Sequence, residues 1–346
     1  MVDKTNNEIL AHHKIQQLNR LAEQLLNYWE INMKSIQLIQ GGEMALVWKI
    51  ETDQGPVCLK RLHRQEKKAL FSIHAQVYLK KKGVRVPGII SNRKNQLYTK
   101  VGSYLFVLYE WIEGIHLTNN RNEDLERLMK GLANYHQSSI GYEAPPGVSI
   151  FSKLGNWPDH YLKRCQQLES WKNFAASTPH DPFSQLYLKE IDEFITSGRN
   201  TKKELLNSAY SSIVEETKKS PNLCHPDFGT GNTILNNDGH LWIIDLDTTC
   251  FDLQIRDIRM FLFSTLEDGV AWDETLFIKM IRYYQQEASL TESSKEIMLI
   301  DLQFPYELYK LVQNKYIQKS QVEEDDLMQA MEFERLRKKE LRGLLR

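Results

Sequence analysis

The chain has 346 residues, 41% hydrophobic and 26% charged, with 44 Lys plus Arg against 45 Asp plus Glu. That length exceeds one small core and favours two lobes, and the composition is that of an ordinary globular protein. The net charge of -1 argues against a nucleic-acid partner and a polybasic membrane surface. No apolar signal region opens the sequence and no stretch is long enough to span a bilayer, so synthesis without a signal peptide, in the cytoplasm, is expected.

Ile9, Leu10, Ile15, Leu18, Leu21, Leu25, Leu26 and Trp29 recur every three or four residues and predict an amphipathic helix within 8–31. Three short strands follow, over 35–40, 46–50 and 56–62, with Gly41-Gly42 and Asp53-Gln54-Gly55 as turns. Residues 65–82 read as a helix, stopped by Lys80-Lys81-Lys82-Gly83. Further strands fit 89–91 with Tyr98, and 104–111, before Gly114 breaks the pattern. The sum is a small antiparallel sheet with one helix in its middle, in an N-terminal lobe of residues 1–112.

Residues 113–346 are mainly helical. Leu125, Leu128, Met129, Leu132, Ala133 and His136 share one helical face, and helices also fit 157–175, 182–197, 199–219, 272–288, 293–319 and 323–345. The last is charge-dense and reads as a solvated helix. Trp157, Tyr161, Trp171 and Phe174 offer either core or a partner surface, with core the simpler reading. Thr233-Ile234-Leu235 and Leu241 to Ile244, joined through Asp238-Gly239, predict a β-hairpin. Cys58, Cys165, Cys224 and Cys250 form no C-x-x-C pair, so buried reduced thiols are expected.

The most informative stretch runs from His225 to Asn232 as H-x-D-x-x-x-x-N, and Asp245 follows thirteen residues after Asn232. Phosphoryl transfer needs one carboxylate to take the proton of an attacking hydroxyl. It also needs hard oxygen donors to hold magnesium on the nucleotide phosphates. Asp227 fits the base, and Asn232 and Asp245 fit the metal ligands, with the hairpin returning the chain between them. Gly229 and Gly231 suggest a loop with positive φ. His225 reads as a brace for the loop. The plainer alternative is two polar turns flanking a hairpin.

These phrases, with Tyr109-Glu110-Trp111-Ile112-Glu113-Gly114 and Asp252-Leu253-Gln254-Ile255-Arg256-Asp257-Ile258, resemble the aminoglycoside phosphotransferase and choline kinase superfamily. Within it the chain resembles the CotS-type spore coat proteins of spore-forming bacilli. The resemblance implies a bilobal protein-kinase-like α+β fold with ATP and Mg²⁺ as ligands. It implies a phosphate-contacting role for Lys60 and a phosphate-covering loop at Gly41-Gly42-Glu43. It also implies an adenine hinge at Tyr109 to Ile112, including Glu110 and Ile112, and a support for the catalytic loop at Asp257.

The sequence departs from that pattern at several places. Pro226 stands beside the base and removes a backbone donor. Gly229 stands where a Lys or His is often found. The helix glutamate that should pair with Lys60 is not evident: Glu66 is nearest, and Ser72 or His74 lies closer to the expected place. The expectation is a spore coat protein, partnered by other coat proteins, with phosphotransferase activity on a hydroxyl-bearing acceptor. Alternatives are a structural coat component that keeps the fold as an assembly surface, and a choline- or homoserine-type kinase. An aromatic box at Phe304 to Tyr309 would suit a quaternary amine, though core packing is the simpler reading.

Overall fold

The computed structural model describes residues 2–42, 45–266 and 272–344, with side chains from residue 13. Glu43 of the glycine turn, and the side chains of Ile9 and Leu10, lie outside the described residues. The chain divides into two compact units. One comprises Met1–Thr118, Tyr142–Phe151 and Thr230–Cys250, the other Asn119–Gly141, Ser152–Gly229 and Phe251–Arg346.

The first unit is built on an antiparallel sheet. Its strands are β1 (Met33–Gly41), β2 (Leu46–Thr52), β3 (Val57–Leu62), β4 (Ile89–Ile90), β5 (Thr99–Val101) and β6 (Tyr104–Glu110). Their order is β1-β2-β3-β6-β4, with β5 also paired to β6. Two helices, α1 (Val2–Leu26) and α2 (Glu66–Lys81), belong to this unit. The period-2 alternation of strand side chains sorts β3 and β6 onto two cores. Leu59, Phe106 and Leu108 join Leu25, Trp29 and Trp48, while Leu62, Leu105, Val107 and Tyr109 join Ala69 and Ile73 of α2. Both faces of β6 are therefore covered, which explains its unbroken run of apolar residues. Trp29 donates its indole N–H to the Ile90 carbonyl at 2.9 Å. Ile15, placed by periodicity on the apolar stripe of α1, is 43% exposed.

The hairpin forms as expected, with β8 (Thr233–Leu235) antiparallel to β9 (Leu241–Ile243) in the register Thr233↔Ile243; β7 is Leu223–Cys224. Gly114 fits this hairpin for a steric reason. A Cβ there would lie 2.2 Å from the Leu235 carbonyl oxygen, where Ile115 and Leu235 exchange backbone hydrogen bonds of 2.8 and 3.0 Å.

The second unit is helical, with α3 (Asn122–Ser139), α4 (Trp157–Ala176), α5 (Pro182–Asn207), α6 (Tyr210–Lys219), α7 (Ile255–Thr265), α8 (Glu274–Tyr284), α9 (Glu292–Asp301), α10 (Tyr306–Tyr316) and α11 (Glu324–Leu344). The α+β class is as expected, and three boundaries are corrected. Helix α5 runs through Gly198, because the missing side chain there is a packing device: a Cβ would meet Cys165 Sγ at 2.7 Å. The break comes instead at Ser208, whose extended backbone lets its hydroxyl accept the Tyr210 N–H at 3.2 Å. The single helix expected over 293–319 is two, since Pro305 has no N–H with which to continue α9. Helix α7 is absent from the sequence-based elements altogether.

The aromatic group is mainly core: Trp157, Tyr161 and Trp171 are buried, and only Phe174 is exposed. The aromatic stretch after α9 already holds cations of the protein itself, with Arg259 4.1 Å from the Tyr306 ring centre and Arg164 4.9 Å from that of Tyr309. Helix α11 is more than a solvated tail, because Leu327, Met331, Phe333 and Leu341 are buried and Arg337 reaches the Phe304 carbonyl at 2.9 Å. Among the described residues, no helix is long and apolar enough to cross a membrane.

Gly114→Ala is expected to destabilise the protein by about 1–3 kcal/mol through forced displacement of β8. Urea unfolding of the variant measures this, and a change within 0.5 kcal/mol would contradict the steric account.

Candidate active site

Lys60 sits on β3 on the same face as Cys58 and Leu62, and is only 8% exposed. Its Nζ lies 2.7 Å from Asp245 Oδ1 and 2.8 Å from Asp247 Oδ2. Burial works against the ammonium charge, and Asp247 and Asp245 more than offset it, so the Lys60 pKa is raised. Asp247 is raised mainly by its own burial, against the pull of Lys60. Asp245 is the more accessible carboxylate, with 40% side-chain exposure against 15% for Asp247. Asp245 and Asp247 bring two carboxylates to one ammonium, and hard oxygen donors of this kind suit a divalent cation near Asp245.

The hairpin register delivers these residues. Thr233 pairs with Ile243, and the Ile244 N–H donates to the Asn232 carbonyl at 2.9 Å. Asn232 and Asp245 thus leave the same end of the two strands, one residue apart in register. Asp245 then turns sharply, at φ 59 and ψ 55, into the short turn Leu246–Thr248. Left-handed backbone is uncommon outside glycine, and Asp and Asn are among the residues that tolerate it. Gly229 and Gly231, by contrast, are not among the positive-φ glycines, and the expectation of positive φ there is corrected. The reversal of the chain is accomplished by the hairpin and by Asp245, so those glycines need no special conformation. Little surrounds them: a Cβ at Gly231 would touch nothing within 4 Å, and one at Gly229 only Ser264 Oγ at 3.9 Å.

A cavity of about 360 Å³ opens beside Lys60, Asp245 and Asp247, walled by Val47, Tyr109, Ile112, Ile234 and Ile244. Glu110 and Asn232 also line it. Burial pushes the Cys58 thiol on this wall up to about 12, against the pull of Lys60, so it stays protonated. The Glu110 carboxylate is engaged by Lys80 at 2.7 Å and by the Gly88 N–H at 2.9 Å. Gly41 and Gly42 close the β1–β2 connection, where the Gly42 carbonyl accepts from Arg61, while Ile39 and Gln40 beside them reach the cavity.

None of the residues weighed on α2 pairs with Lys60. Glu66 binds Lys100 at 2.6 Å, Ser72 donates to the Ala69 carbonyl, and burial lowers the pKa of the half-buried His74. The second carboxylate comes from Asp247, which sequence reasoning missed. Its signal was the two-residue spacing from Asp245.

Asp227, His225 and Asp257 belong to the second unit. His225 and Phe228 are buried, and Asp227 between them is exposed. The Phe228 N–H donates to the His225 carbonyl at 2.8 Å, closing a β-turn with Pro226 in its second position. Fixed φ is an asset at that position. Phe228 packs edge-on against Phe261 of α7, with centroids 5.6 Å apart. Asp257 accepts the backbone N–H of His225 and lies 3.0 Å from His136 Nε2, whose Nδ1 meets the Tyr284 hydroxyl at 2.8 Å. His136, Cys224 and Asp257 present ligand-type atoms within 4.8 Å of one another. Both ring nitrogens of His136 are already engaged, so the cluster is a buried hydrogen-bond network.

Residues 35–289 match the model of the phosphotransferase enzyme family. Spore coat protein S of Bacillus subtilis (strain 168) is 27% identical over 297 residues, covering 86% of this chain and 84% of that one. An aminoglycoside phosphotransferase from Alicyclobacillus acidocaldarius superposes with a TM-score of 0.73 at 16% identity, over 92% of this chain and 95% of that chain. Spectinomycin phosphotransferase in complex with ADP and spectinomycin superposes with a TM-score of 0.60 at 17% identity, over 92% and 93%. The two structural likenesses show the kinase-like fold.

Lys60→Met is expected to lose roughly 3 kcal/mol of stability at pH 8, because Asp247 stays buried beside Asp245 without its cation. The raised Lys60 pKa means that its contribution is complete below about pH 10.5 and falls away as the pH rises through the higher folded value. Urea midpoints measured from pH 8 to 12 should therefore draw closer for the two proteins above about pH 10.5. A constant gap would contradict the assignment.

Proposed function

Because the chain belongs to the phosphotransferase enzyme family, we propose that it is a spore-coat protein that binds magnesium nucleotide in the Lys60 cavity and transfers the terminal phosphoryl group to a hydroxyl acceptor. The observation that carries this reading is the buried Lys60 between Asp245 and Asp247 in a cavity whose walls include Val47, Tyr109, Ile112, Ile234 and Ile244. Such a cavity, apolar with a few convergent charges, suits a base at one end and phosphates at the other. The similarity to a spore coat protein over most of both chains supports the location and the coat partners.

Each residue has a part. Lys60 would leave its carboxylates for the α- and β-phosphates. Asp245 and Asn232 offer hard oxygen donors of the kind magnesium prefers, and the ion would neutralise charge on the β- and γ-phosphates. With its carboxylate spent on Lys80 and Gly88, Glu110 would meet a base through its main chain, as would Ile112. Exposed Asp227, on a turn anchored by buried His225 and Phe228, takes the proton of the acceptor hydroxyl. The acceptor oxygen bonds to the γ-phosphorus as the bond to the bridging oxygen breaks, and nucleoside diphosphate leaves.

A structural coat role is favoured by one specific observation. Gly229 replaces a side chain that would aid transfer, and the space beside it is open. Calorimetry with Mg-ATP decides between the readings at the level of binding, and ATP consumption over a panel of amino alcohols and sugar alcohols decides at the level of turnover. At a hundredfold excess over Kd, Mg-ATP should stabilise the protein by about 2.7 kcal/mol. Asp245→Ala should abolish the magnesium dependence of binding. Asp227→Ala should keep binding and lower turnover roughly 10²- to 10⁴-fold. A parent protein with no heat and no thermal shift with Mg-ATP would sink the nucleotide reading.

A further inference from the structure

The close approach that leaves no room for a Cβ at Gly114 also delivers a side chain to the turn that carries Asn232. Ile115 and Leu235 form an antiparallel bridge. His116, the next residue, therefore runs beside the segment that leads from the short turn Thr230–Asn232 into β8. His116 belongs to the sheet-containing unit, as do Asn232 and Asp245. With Gly231 and Asn232 it lines the Lys60 cavity.

The His116 Nδ1 lies 2.8 Å from the Thr233 carbonyl oxygen and 3.1 Å from that of Thr230. Carbonyl oxygens only accept, so Nδ1 carries a proton and donates it to both. These bonds set the tautomer of the neutral ring and leave its Nε2 as an acceptor. The two carbonyls flank Asn232, whose own carbonyl accepts the Ile244 N–H at 2.9 Å. Packing does not hold the turn at Gly231, which is exposed and where a Cβ would touch nothing within 4 Å. The Thr233 hydroxyl reaches the Thr230 carbonyl only at 3.4 Å. A short turn of this kind has weak hydrogen-bond geometry of its own, and a ring 114 residues away in sequence from Thr230 ties its two ends together.

We infer that His116 is a positioning residue for the magnesium ligand Asn232. Its Nδ1–H clamps the carbonyls on either side of Asn232 and so fixes the direction in which that side chain presents its amide oxygen. The inference rests on the nucleotide reading of the Lys60 cavity and adds the device that shapes one half of its metal site. Asp245 is aimed by its own left-handed backbone, whereas Asn232 is aimed by the clamp. Groups that orient a metal ligand from behind govern metal affinity nearly as strongly as the ligand does.

The experiment uses the full chain and measures ADP binding by calorimetry, once with magnesium and once with EDTA. The ratio of the two affinities isolates the share that the metal contributes. His116→Ala should lower that ratio by about tenfold or more and leave the affinity in EDTA unchanged. His116→Asn should restore the ratio, because its Nδ2 is attached to Cγ as the ring Nδ1 is. His116→Gln, whose amide extends to the Nε2 position, should not restore it. Nitrogen NMR of the parent protein should find the neutral His116 ring protonated on Nδ1. An unchanged ratio in His116→Ala, or an equal loss of ADP affinity with magnesium and with EDTA, would mark a merely structural residue. Either result would overturn this inference and leave the nucleotide reading standing, as would a neutral ring protonated on Nε2. A parent protein that binds ADP no more tightly with magnesium than with EDTA would overturn both together. If His116→Ala does not fold, the contrast between His116→Asn and His116→Gln and the tautomer of the parent ring decide.

Discussion

A lysine ammonium that is almost wholly removed from water must find its counter-charges inside the fold. Lys60 finds them at Asp245 and Asp247, 185 residues and more along the chain. Removing either side of such a pair leaves an isolated buried charge, which is far less stable than the pair. The hairpin of β8 and β9 is therefore part of the sheet-containing unit although it follows most of the helical sequence. Closing so long a loop carries an entropy cost, and the contacts at Gly114, Ile115 and Leu235 share in offsetting it. The candidate site is thus also a structural tie within its own unit, and its charge balance cannot be altered without consequences for folding.

The sheet was legible because its signals are local. Alternating apolar residues marked β2 and β3, and an Asp-Gly turn marked the hairpin that carries Asn232 and Asp245. Most helices were legible for the same reason, but their ends were decided by packing. Gly198 looks like a stop until Cys165 is seen against it, and Pro305 was overridden by a periodicity that continues on both sides of it. Helix α7 was hidden because its buried face includes Asp257 and Arg259, which dilute the apolar pattern. Within the site, residue types and spacing pointed to Asn232 and Asp245, and the family resemblance to Lys60. The partnership of Asp247 with Lys60 was not legible, because it depends on where a turn aims one side chain.

The helical unit solves a different problem with the same chemistry. Asp257, fully buried, binds the His225 backbone and the His136 ring through one carboxylate oxygen, so the loop that presents Asp227 is anchored from within. Nearby, Asp252 is paired with Arg256 and Asp301 with Arg259. Buried polar networks of this kind fix one conformation.

The left-handed backbone at Asp245 has an evolutionary consequence. Among side-chain-bearing residues, Asn shares the tolerance of Asp for that conformation, and glycine adopts it freely. Both are one base change from an aspartate codon. A descendant could therefore discard the carboxylate while its chain still reverses at the same point, with Asp247 left to balance Lys60. The architecture thus lets the reversal of the chain persist independently of the carboxylate that sits on it.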